Sequence, residues 1–261
     1  MSEPIFRPMM PNDVKAALAI IHEHDEDDFA WAKHTYERSL SGQYALELDS
    51  RVIGVTGASL ADGTDRTFGI SWTYLERKFT GRGFGGLMLE KLIDAMRAQG
   101  GRKAFVNTSD YYDPEDGDVY RDAREAYKSV GFVEEMRHAN YYEKGEAQIS
   151  YGMRLEPQEA DPVREFNQKK IRLTDVDEIP ECDGAYWLAW ELDDEGTDPS
   201  SFKMIAEQVA EWGGRVIFMA FPSDVEQAPS FMTSCRFRAD GSLVDYYNDG
   251  TDELHYRFDI L

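Results

Sequence analysis

The order of strand and helix patterns along the chain predicts an α+β fold. Residues 43–48 and 52–59 alternate in polarity as the two strands of a hairpin, and residues 68–76 form a further strand after a turn. Helical patterns flank these strands, at residues 13–24, 28–40 and 84–99. The chain beyond residue 170 repeats several features of the first part. The sequence therefore also predicts a second, smaller α+β domain.

A glycine-rich turn joins the strand at residues 68–76 to the helix that follows. It contains Gly81, Gly83, Gly85 and Gly86. Glycine allows left-handed backbone angles and a close approach of the backbone to a ligand. The first turn of a helix presents amide groups that have no partner inside the helix, and the helix dipole is positive at that end. This turn is therefore predicted to hold a phosphate group.

Two kinds of phosphate-binding turn fit this stretch poorly. A P-loop requires Lys followed by Ser or Thr after its last glycine, but Leu87 and Met88 follow Gly86. Gly81, Gly83 and Gly86 match the dinucleotide pattern G-x-G-x-x-G. That pattern should follow the first strand of its unit and precede an acidic residue by about 20 positions. Here several strands precede the turn. The first acid at the end of the next strand is Asp110, which lies further along the chain than the pattern requires.

The run Phe79–Leu89 resembles the pyrophosphate loop of the GNAT superfamily, the acyl-CoA-dependent N-acyltransferases. Gly83 and Gly85 fall on the two small positions of that loop. Thr80 stands where the family has Gln or Arg. This departure affects one side-chain contact and leaves the backbone contacts, which carry most of such a site, unaffected.

A second segment, Ala123–Phe132, resembles another GNAT motif, in which a helix ends in Tyr-x-Lys-x-Gly-Phe. Ser129 replaces the Lys, and the other positions match. The two motifs occur in the family's order and with matching elements between them. Residues 1–157 are therefore similar to a GNAT domain.

The resemblance implies a mixed, mostly antiparallel sheet flanked by helices, and an N-acetyltransferase that uses acetyl-CoA. The residues that it implies for binding the cofactor are Leu75, Arg77, Thr80, Gly81, Arg82, Gly83, Phe84, Gly85, Gly86 and Asn107. Asn107 should lie where its strand parts from a neighbour to admit the pantetheine arm, and a strand amide near Leu75 or Arg77 should hold the thioester carbonyl. Tyr127 matches the position whose hydroxyl protonates the sulfur of CoA. A tyrosine there also packs the helix onto the sheet.

The sequence leaves the general base open. Ser71 and Thr73 are expected to share a strand face with Leu75, and in the family that face looks toward the acceptor. Neither side chain is a strong base. A water relay or a carboxylate, Glu76 or Asp110, is the alternative.

Two histidines and a run of acids, His22 to Asp28, follow the first helix. A metal site is one interpretation, but the His-x-His spacing of His22 and His24 suits a strand and not the end of a helix. No metal is therefore predicted. In related folds this connection borders the acceptor site, so these acids are expected to attract a cationic acceptor.

The chain of 261 residues has a formal net charge of -22. This acidity argues against binding to nucleic acid, whose phosphates require a basic patch. It agrees with a small-molecule amine substrate that is cationic, and equally with a role in solubility. A local basic island is predicted around the glycine-rich turn, where it would suit the polyanionic CoA; its members are Arg77, Lys78, Arg82, Arg102 and Lys103.

The two cysteines, Cys182 and Cys235, favour a reducing cytosol over a disulfide framework. No apolar run approaches the length of a membrane span, and the first residues lack the apolar core of a signal peptide. The sequence thus predicts a cytoplasmic protein without a membrane partner. A monomer and a homodimer both stay open.

Residues 157–170 are typical of a linker, and the chain after them compares with the later half of the first domain. Leu92–Arg102 compares with Ile205–Arg215, and Tyr141–Gly145 compares with Tyr246–Gly250. Matches that keep the same order favour an internal repeat over chance.

The second copy, residues 158–261, is predicted to be a catalytically inactive, partial GNAT-like repeat. Met232 stands where Tyr127 stands in the first copy, and Glu195–Ser201 has acids where a phosphate would sit. The leading functional prediction is an N-acetyltransferase acting on a small cationic amine. The alternative is an acyl-CoA-binding or scaffold protein without turnover, which the change at Thr80 and the inactive copy favour. A dinucleotide enzyme is a third hypothesis, favoured only if NAD binds.

Overall fold

The computed structural model describes residues 3–115, 117–157 and 169–260. The contacts of the chain divide it into two compact units. We call Met1–Asn107, Arg121–Val133 and Tyr151–Pro157 the first unit, and Thr108–Tyr120, Glu134–Ser150 and Gln158–Leu261 the second unit. The predicted linker at residues 157–170 lies almost wholly outside the described residues.

The first half of the chain forms an α+β arrangement, as predicted. Its elements are β1 (Ile5–Pro8), α1 (Val14–His22), α2 (Glu26–Arg38), β2 (Gln43–Leu48), β3 (Arg51–Leu60), β4 (Thr67–Leu75), α3 (Phe84–Ala98), β5 (Lys103–Ser109), β6 (Tyr112–Asp113), β7 (Gly117–Asp118), α4 (Arg121–Ser129), β8 (Val133–His138) and β9 (Gln148–Arg154). Seven strands form one sheet in the order β1-β2-β3-β4-β5-β9-β8. Neighbours from β1 to β4 are antiparallel, and β4 and β5 are parallel.

Apolar periodicity explains the two helices that precede the β2–β3 hairpin. α1 buries Ala17, Ile20 and Ile21 on one face. α2 begins where the side chain of Asp25 accepts hydrogen bonds from the amides of two residues in its first turn. β8 ends at His138. The chain turns there because Asn140 adopts a left-handed φ of 54°.

A bulge interrupts β4 opposite β3. Val55 pairs with Tyr74, but Gly57 pairs with Ser71, so β4 has one residue more than β3 across this interval. Trp72, inside the bulge, has a φ of 38°, a strained angle for a bulky residue. The predicted strict alternation through Ser71, Thr73 and Leu75 is wrong, because the extra residue changes the face on which side chains emerge.

The second half of the chain repeats this arrangement. Its elements are β10 (Lys170–Glu178), β11 (Ala185–Asp193), α5 (Phe202–Glu211), β12 (Val216–Pro222), α6 (Ala228–Ser234), β13 (Arg238–Asn248) and β14 (Thr251–Asp259). Their sheet has the order β10-β11-β12-β14-β13, which is the order β3-β4-β5-β9-β8 of the first sheet. The strands β11 and β12 are parallel, as β4 and β5 are.

Single hydrogen bonds recur at matching places in the two halves. The amide of Phe132 donates to the carbonyl of Tyr127 over 3.1 Å, and the amide of Phe237 donates to the carbonyl of Met232 over 2.9 Å. Met232 therefore occupies the place in its half that Tyr127 has in the other, as the repeat predicted.

The turn after β8 has a counterpart after residue 245. The amide of Gly145 donates to Asn140 Oδ1, and the amide of Gly250 donates to Asp245 Oδ1, each over 2.8 Å. Asn140 and Asp245 have φ angles of 54° and 53°. Turns and sheet order thus support a structural repeat, which the sequence comparison had predicted.

Candidate active site

The glycine-rich turn places a helix N-terminus directly after β4. A single 3-10 turn, Arg77–Phe79, follows the strand, and α3 begins at Phe84 with Gly83 as its N-cap. Gly81 and Gly83 have φ angles of 71° and 81°, which other residues adopt at a cost. Among the described residues no side chain caps this helix. Its first amides are therefore available to a ligand.

The space in front of these glycines is open. A Cβ atom added to Gly81, Gly83 or Gly86 would meet no protein atom within 4 Å, and one added to Gly85 would lie 3.7 Å from Leu75 Cδ1. No packing requirement of the protein therefore explains Gly86, which has helical geometry and could carry a side chain without strain. An uncapped helix N-terminus with room for a group of atoms fits a phosphate.

The side chains of the turn mostly stabilise the turn itself. The hydroxyl of Thr80 donates to the carbonyl of Arg77 over 2.8 Å. The ring of Phe79 packs edge-on against Phe84, with centroids 6.1 Å apart, and the guanidinium of Arg82 lies 5.5 Å from its centroid. Thr80 thus closes the turn, whereas the Gln or Arg of the family pattern would have a longer reach.

The predicted basic island is wrong for two of its five members. Arg102 and Lys103 are 2% and 3% exposed, and Lys103 pairs with Thr67 at the start of β4. The glycine-rich turn follows the opposite end of β4. Because β4 has nine residues, its two ends are about 26 Å apart. Arg102 donates to the hydroxyl of Thr67 over 2.9 Å, so its role is structural.

A cation that the sequence analysis missed lies near the turn. Arg51, at the start of β3, approaches Glu76 Oε1 to 2.5 Å, and Lys78 approaches the same oxygen to 2.8 Å. The sequence alone does not indicate that Arg51 lies near this turn, because 25 residues separate it from Glu76. Only the pairing of β3 with β4 brings the two side chains together.

The end of β4 is covered by the connection between α1 and α2. His24 Nε2 lies 2.7 Å from the carbonyl oxygen of Leu75. The amide of Arg77 donates to Glu23 Oε2 over 3.2 Å, and the guanidinium of Arg77 donates to the carbonyl of Glu23. The amide of Arg77, one of those considered for the thioester carbonyl, therefore has a partner from this connection, whereas His24 contacts the carbonyl of Leu75 and not its amide.

Asn107 lies beyond the last pair of β4 with β5. The pairs run from Thr67 with Lys103 to Gly69 with Phe105. The strand β4 continues to Leu75, and Asn107 is exposed on β5. The two parallel strands thus stop pairing before Asn107, which is the geometry predicted for this residue.

Tyr127 is buried against the sheet. Its side chain is 7% exposed, and its ring centroid lies 6.0 Å from Phe132 and 6.2 Å from Tyr151. Burial raises the pKa of its phenol to about 12, and the nearby side chain of Thr73 on β4 opposes this shift. Thr73 Oγ1 in turn lies 2.9 Å from Thr56 Oγ1. The phenol therefore stays protonated near neutral pH.

Asp28, in the first turn of α2, is the last residue of the acidic run that the sequence analysis considered as a whole. The hydroxyl of Tyr74 donates to Asp28 Oδ2 over 2.6 Å. Burial raises the pKa of Asp28, and the nearby Asp25 also raises it, whereas the nearby side chain of Trp72 lowers the pKa of the carboxyl. The negative charge of Asp28 raises the pKa of Tyr127 as well, so the two groups share one electrostatic environment.

Comparisons with known proteins identify the family of this domain. The model of the Acetyltransferase (GNAT) family matches residues 9–132. These residues form a GNAT acetyltransferase domain. The predicted family, and with it the class of acyl-CoA-dependent N-acyltransferases, is confirmed. A search of curated proteins found no significant match.

Solved structures resemble the GNAT domain in fold. A protein from Desulfovibrio desulfuricans assigned to the GNAT acetyltransferases is 20% identical, with a TM-score of 0.52 over 59% of this chain and 100% of its own. An N-acetyltransferase from Staphylococcus aureus is 15% identical, with a TM-score of 0.49 over 59% of this chain and 100% of its own. An aminoglycoside 6'-N-acetyltransferase from Enterococcus faecium is 14% identical, with a TM-score of 0.49 over 60% of this chain and 99% of its own. The predicted α+β fold is confirmed.

The predicted bases of the GNAT domain differ in their surroundings. Glu76 Oε1 binds two cations, as described, and Glu76 Oε2 is buried without a partner among the described residues. Asp110 belongs to the second unit, where Arg137 lies 2.7 Å from one carboxylate oxygen and the amide of Ala147 lies 2.7 Å from the other. Thr73 contacts Tyr127, and Ser71 lies beyond the bulge. Of the acids described here, Asp28 has the environment best suited to accept a proton.

The turn that corresponds to the glycine-rich turn in the second half is filled by carboxylates. Asp193 accepts a hydrogen bond from the amide of Gly196, and Asp198 accepts one from the amide of Ser200 over 2.9 Å. Hydrogen bonds from these amides lower the pKa of both acids. The acids therefore satisfy amides of the loop and the 3-10 turn before α5, whose own N-cap, Ser201, makes no side-chain hydrogen bond among the described residues.

His22 and His24 each contact a group of the protein. His22 Nε2 lies 3.2 Å from Glu26 Oε2, and His24 contacts Leu75. In the part of the chain that the structure describes, no group of three or more His, Cys, Asp and Glu side chains could hold a metal ion. No helix within the same residues is long and apolar enough to span a bilayer.

Proposed function

We propose that this protein transfers the acetyl group of acetyl-CoA to a primary amine of a small, cationic substrate. One observation carries the proposal: an open helix N-terminus and a buried phenol both adjoin β4. Gly83 is the N-cap of α3 just after the strand, and Thr73, within the strand, lies near the buried phenol of Tyr127. A phosphate group and a reacting sulfur of one extended cofactor require such a pair of sites.

The chemistry assigns a separate role to each part. Bound acetyl-CoA supplies the activated acyl group. The amides of Gly85 and Gly86, together with the positive end of α3, bind the pyrophosphate. Asn107 lines the gap between β4 and β5. Tyr127 holds the proton that the leaving thiolate needs, because its raised pKa keeps the phenol protonated.

Ligand binding and turnover test this proposal separately. Thermal unfolding is measured with acetyl-CoA, CoA and NAD, because a ligand at a hundredfold its dissociation constant stabilises the fold by about 2.7 kcal/mol. We expect stabilisation by both CoA forms and none by NAD. Release of free thiol is then followed with a panel of primary amines. Stabilisation by NAD alone would contradict the assignment of the turn.

A CoA-binding protein without turnover is the second candidate. Two observations favour it: the hydroxyl of Thr80 is directed to the carbonyl of Arg77, and the amide of Arg77 is bonded to Glu23. Binding of CoA without thiol release by any amine of the panel would support this candidate over the enzyme.

A further inference from the structure

We propose, on the basis of the function proposed above, that Asp28 and Tyr36 bind the ammonium group of the acceptor and that Asp28 takes its first proton. Both residues lie on α2, and both belong to the first unit. Asp28 belongs to the run of acids that was expected to attract a cationic acceptor, whereas Tyr36 matches no sequence motif.

Asp28 is a carboxylate whose position is enforced by β4. The hydroxyl of Tyr74 donates to it over 2.6 Å, and Tyr74 follows the bulged residue Trp72 by two positions. A strained backbone angle such as that of Trp72 persists where the surrounding structure maintains it. The strain therefore lies beside the residue that holds the carboxylate.

Tyr36 supplies an independent observation. Its side chain is 5% exposed, and its hydroxyl has no hydrogen-bond partner among the described residues. Leaving a buried polar group unpaired costs about 1 to 3 kcal/mol, so such a group points to a missing partner. Its ring lies edge-on to Trp72 with centroids 5.9 Å apart, and the charge of Asp28 raises its pKa. Tyr36 packs in one hydrophobic cluster with Trp72 and Tyr74, and Tyr74 is the residue that donates to Asp28.

The two groups together select a primary ammonium. The carboxylate and the phenol oxygen both accept hydrogen bonds, and an ammonium has three N–H donors. A quaternary ammonium has no donor, and an alcohol has no charge to compensate the carboxylate. Neither should bind as well as a primary alkylammonium, because the site is partly desolvated and an unpaired charge is costly there.

The proton balance of the step is complete with these residues. The ammonium gives one proton to Asp28, and the neutral nitrogen then forms a bond to the carbonyl carbon of the thioester as the carbon–sulfur bond breaks. The thiolate takes the proton of Tyr127. The second proton of the nitrogen restores the phenol, and Asp28 releases its proton to solvent. Acetylation of one ammonium thus yields one amide, one thiol and one proton.

Substitution of Asp28 tests the proposal by binding and by rate. Asp28→Asn keeps the size and an acceptor oxygen but removes the charge. Binding of n-butylammonium, n-butanol and tetramethylammonium is measured by saturation-transfer NMR in the presence of CoA. Glu37→Gln, on the exposed surface of α2, is the matched control. We expect n-butylammonium to bind the wild type and Glu37→Gln, with loss of that signal in Asp28→Asn. The alcohol and the quaternary ion should not bind.

Kinetics with the best amine of the panel provide the second measurement. Asp28→Asn should raise KM for the amine by about tenfold or more, the effect of ~1.4 kcal/mol, and leave the affinity for acetyl-CoA unchanged. Its rate should also lose the dependence on pH that ionisation of the carboxylate causes. Tyr36→Phe should raise KM for the amine without lowering the melting temperature, because it removes a hydroxyl that has no partner.

The outcomes separate this inference from the proposed function. If the wild type binds no CoA or releases no thiol, the proposed function fails, and the NMR titration still decides whether Asp28 binds an ammonium. If the wild type acetylates amines while Asp28→Asn has the same KM, pH profile and amine binding, the inference fails and the function stands. Equal binding of butanol and n-butylammonium would also overturn the inference.

Discussion

The imidazole Nε2 of His24 lies 2.7 Å from the carbonyl oxygen of Leu75. The residue before it, Glu23, accepts a hydrogen bond from the amide of Arg77. The connection between α1 and α2 therefore pairs with the end of β4 much as an added strand or an extended ligand would. A pantetheine arm that uses the amide of Arg77 must first displace the carboxylate of Glu23.

This competition predicts a gain of affinity on truncation of Glu23. Glu23→Ala should lower the dissociation constant of acetyl-CoA, because the ligand then no longer has to replace Glu23 as the hydrogen-bond partner of the Arg77 amide. Isothermal titration measures the constant, with Glu90→Ala on the exposed side of α3 as a control of equal charge. Weaker binding by Glu23→Ala would mean that Glu23 supports the bound state instead.

The open space at Gly86 predicts that even a methyl group interferes with the cofactor. Gly86→Ala should raise the dissociation constant of acetyl-CoA by about tenfold or more, which corresponds to a loss of ~1.4 kcal/mol of binding free energy. The melting temperature of the free protein should be unchanged or raised. The reason is that alanine suits the helix, while its Cβ would occupy the space in front of the amides. Gly69→Ala on β4, where a Cβ also meets nothing within 4 Å, is the control for folding and should bind normally.

The buried phenol predicts a loss of rate without a loss of binding. Tyr127→Phe should lower kcat by about 10²-fold, within the range for a general acid, and leave the affinity for CoA nearly unchanged. Because burial raises the pKa of Tyr127 to about 12, the protonated form persists to high pH. The rate of the wild type should therefore show no decline from phenol ionisation up to about pH 10. An unchanged rate in the variant would remove Tyr127 from the mechanism.

A buried histidine in the second unit predicts a pH-dependent stability. His138 is 1% exposed, its Nδ1 lies 2.5 Å from Asp240 Oδ2, and its Nε2 lies 3.1 Å from His255 Nδ1. Burial lowers the pKa of His138 below 6.5; the nearby His255 and Arg257 also lower it, and Asp240 opposes the shift. The folded state therefore favours the neutral ring.

The sign of the effect follows from linkage. Above the unfolded value of 6.5 the contribution of His138 is complete. As the pH falls below it, the unfolded chain binds a proton that the folded chain resists, so the free energy of unfolding decreases. Urea denaturation at pH 7.5 and pH 5.5 should show this decrease in the wild type and in His34→Gln, an exposed control. His138→Gln should show a smaller one, and an equal decrease would contradict the assignment.

Local chemistry allowed the fold and the cradle to be predicted from the sequence. Gly83 and Gly85 indicated the turn because a phosphate cradle requires glycine at fixed spacing, and the repeat placed Met232 where Tyr127 stands. The basic island failed because Arg102 and Lys103 are close to the glycine-rich turn in sequence but not in space. A parallel crossover returns the chain to the start of β4, so residues after α3 lie far from the turn before it.

The sequence placed Asp28 in an acidic run but could not distinguish it from the other acids there. Its partner Tyr74 lies 46 residues further along, in the strand that contains the bulge. Bulges have no fixed sequence pattern. A regular strand would have placed Ser71, Thr73 and Leu75 on one face, and the extra residue in β4 changes this. The unpaired hydroxyl of Tyr36 is likewise a property of packing and not of composition.

The carboxylates of Asp193 and Asp198 give the second half a ligand that is part of its own chain. A group attached to the backbone is present at a far higher effective concentration than a cofactor in solution, so these amides have an acceptor whether or not CoA is present. The two halves thus differ in the turn before the helix: carboxylates of the chain itself satisfy amides of that turn in the second half, whereas we propose that CoA does so in the first. A fluctuation in the supply of CoA should change the protection of amides against hydrogen exchange at α3 and leave α5 unaffected.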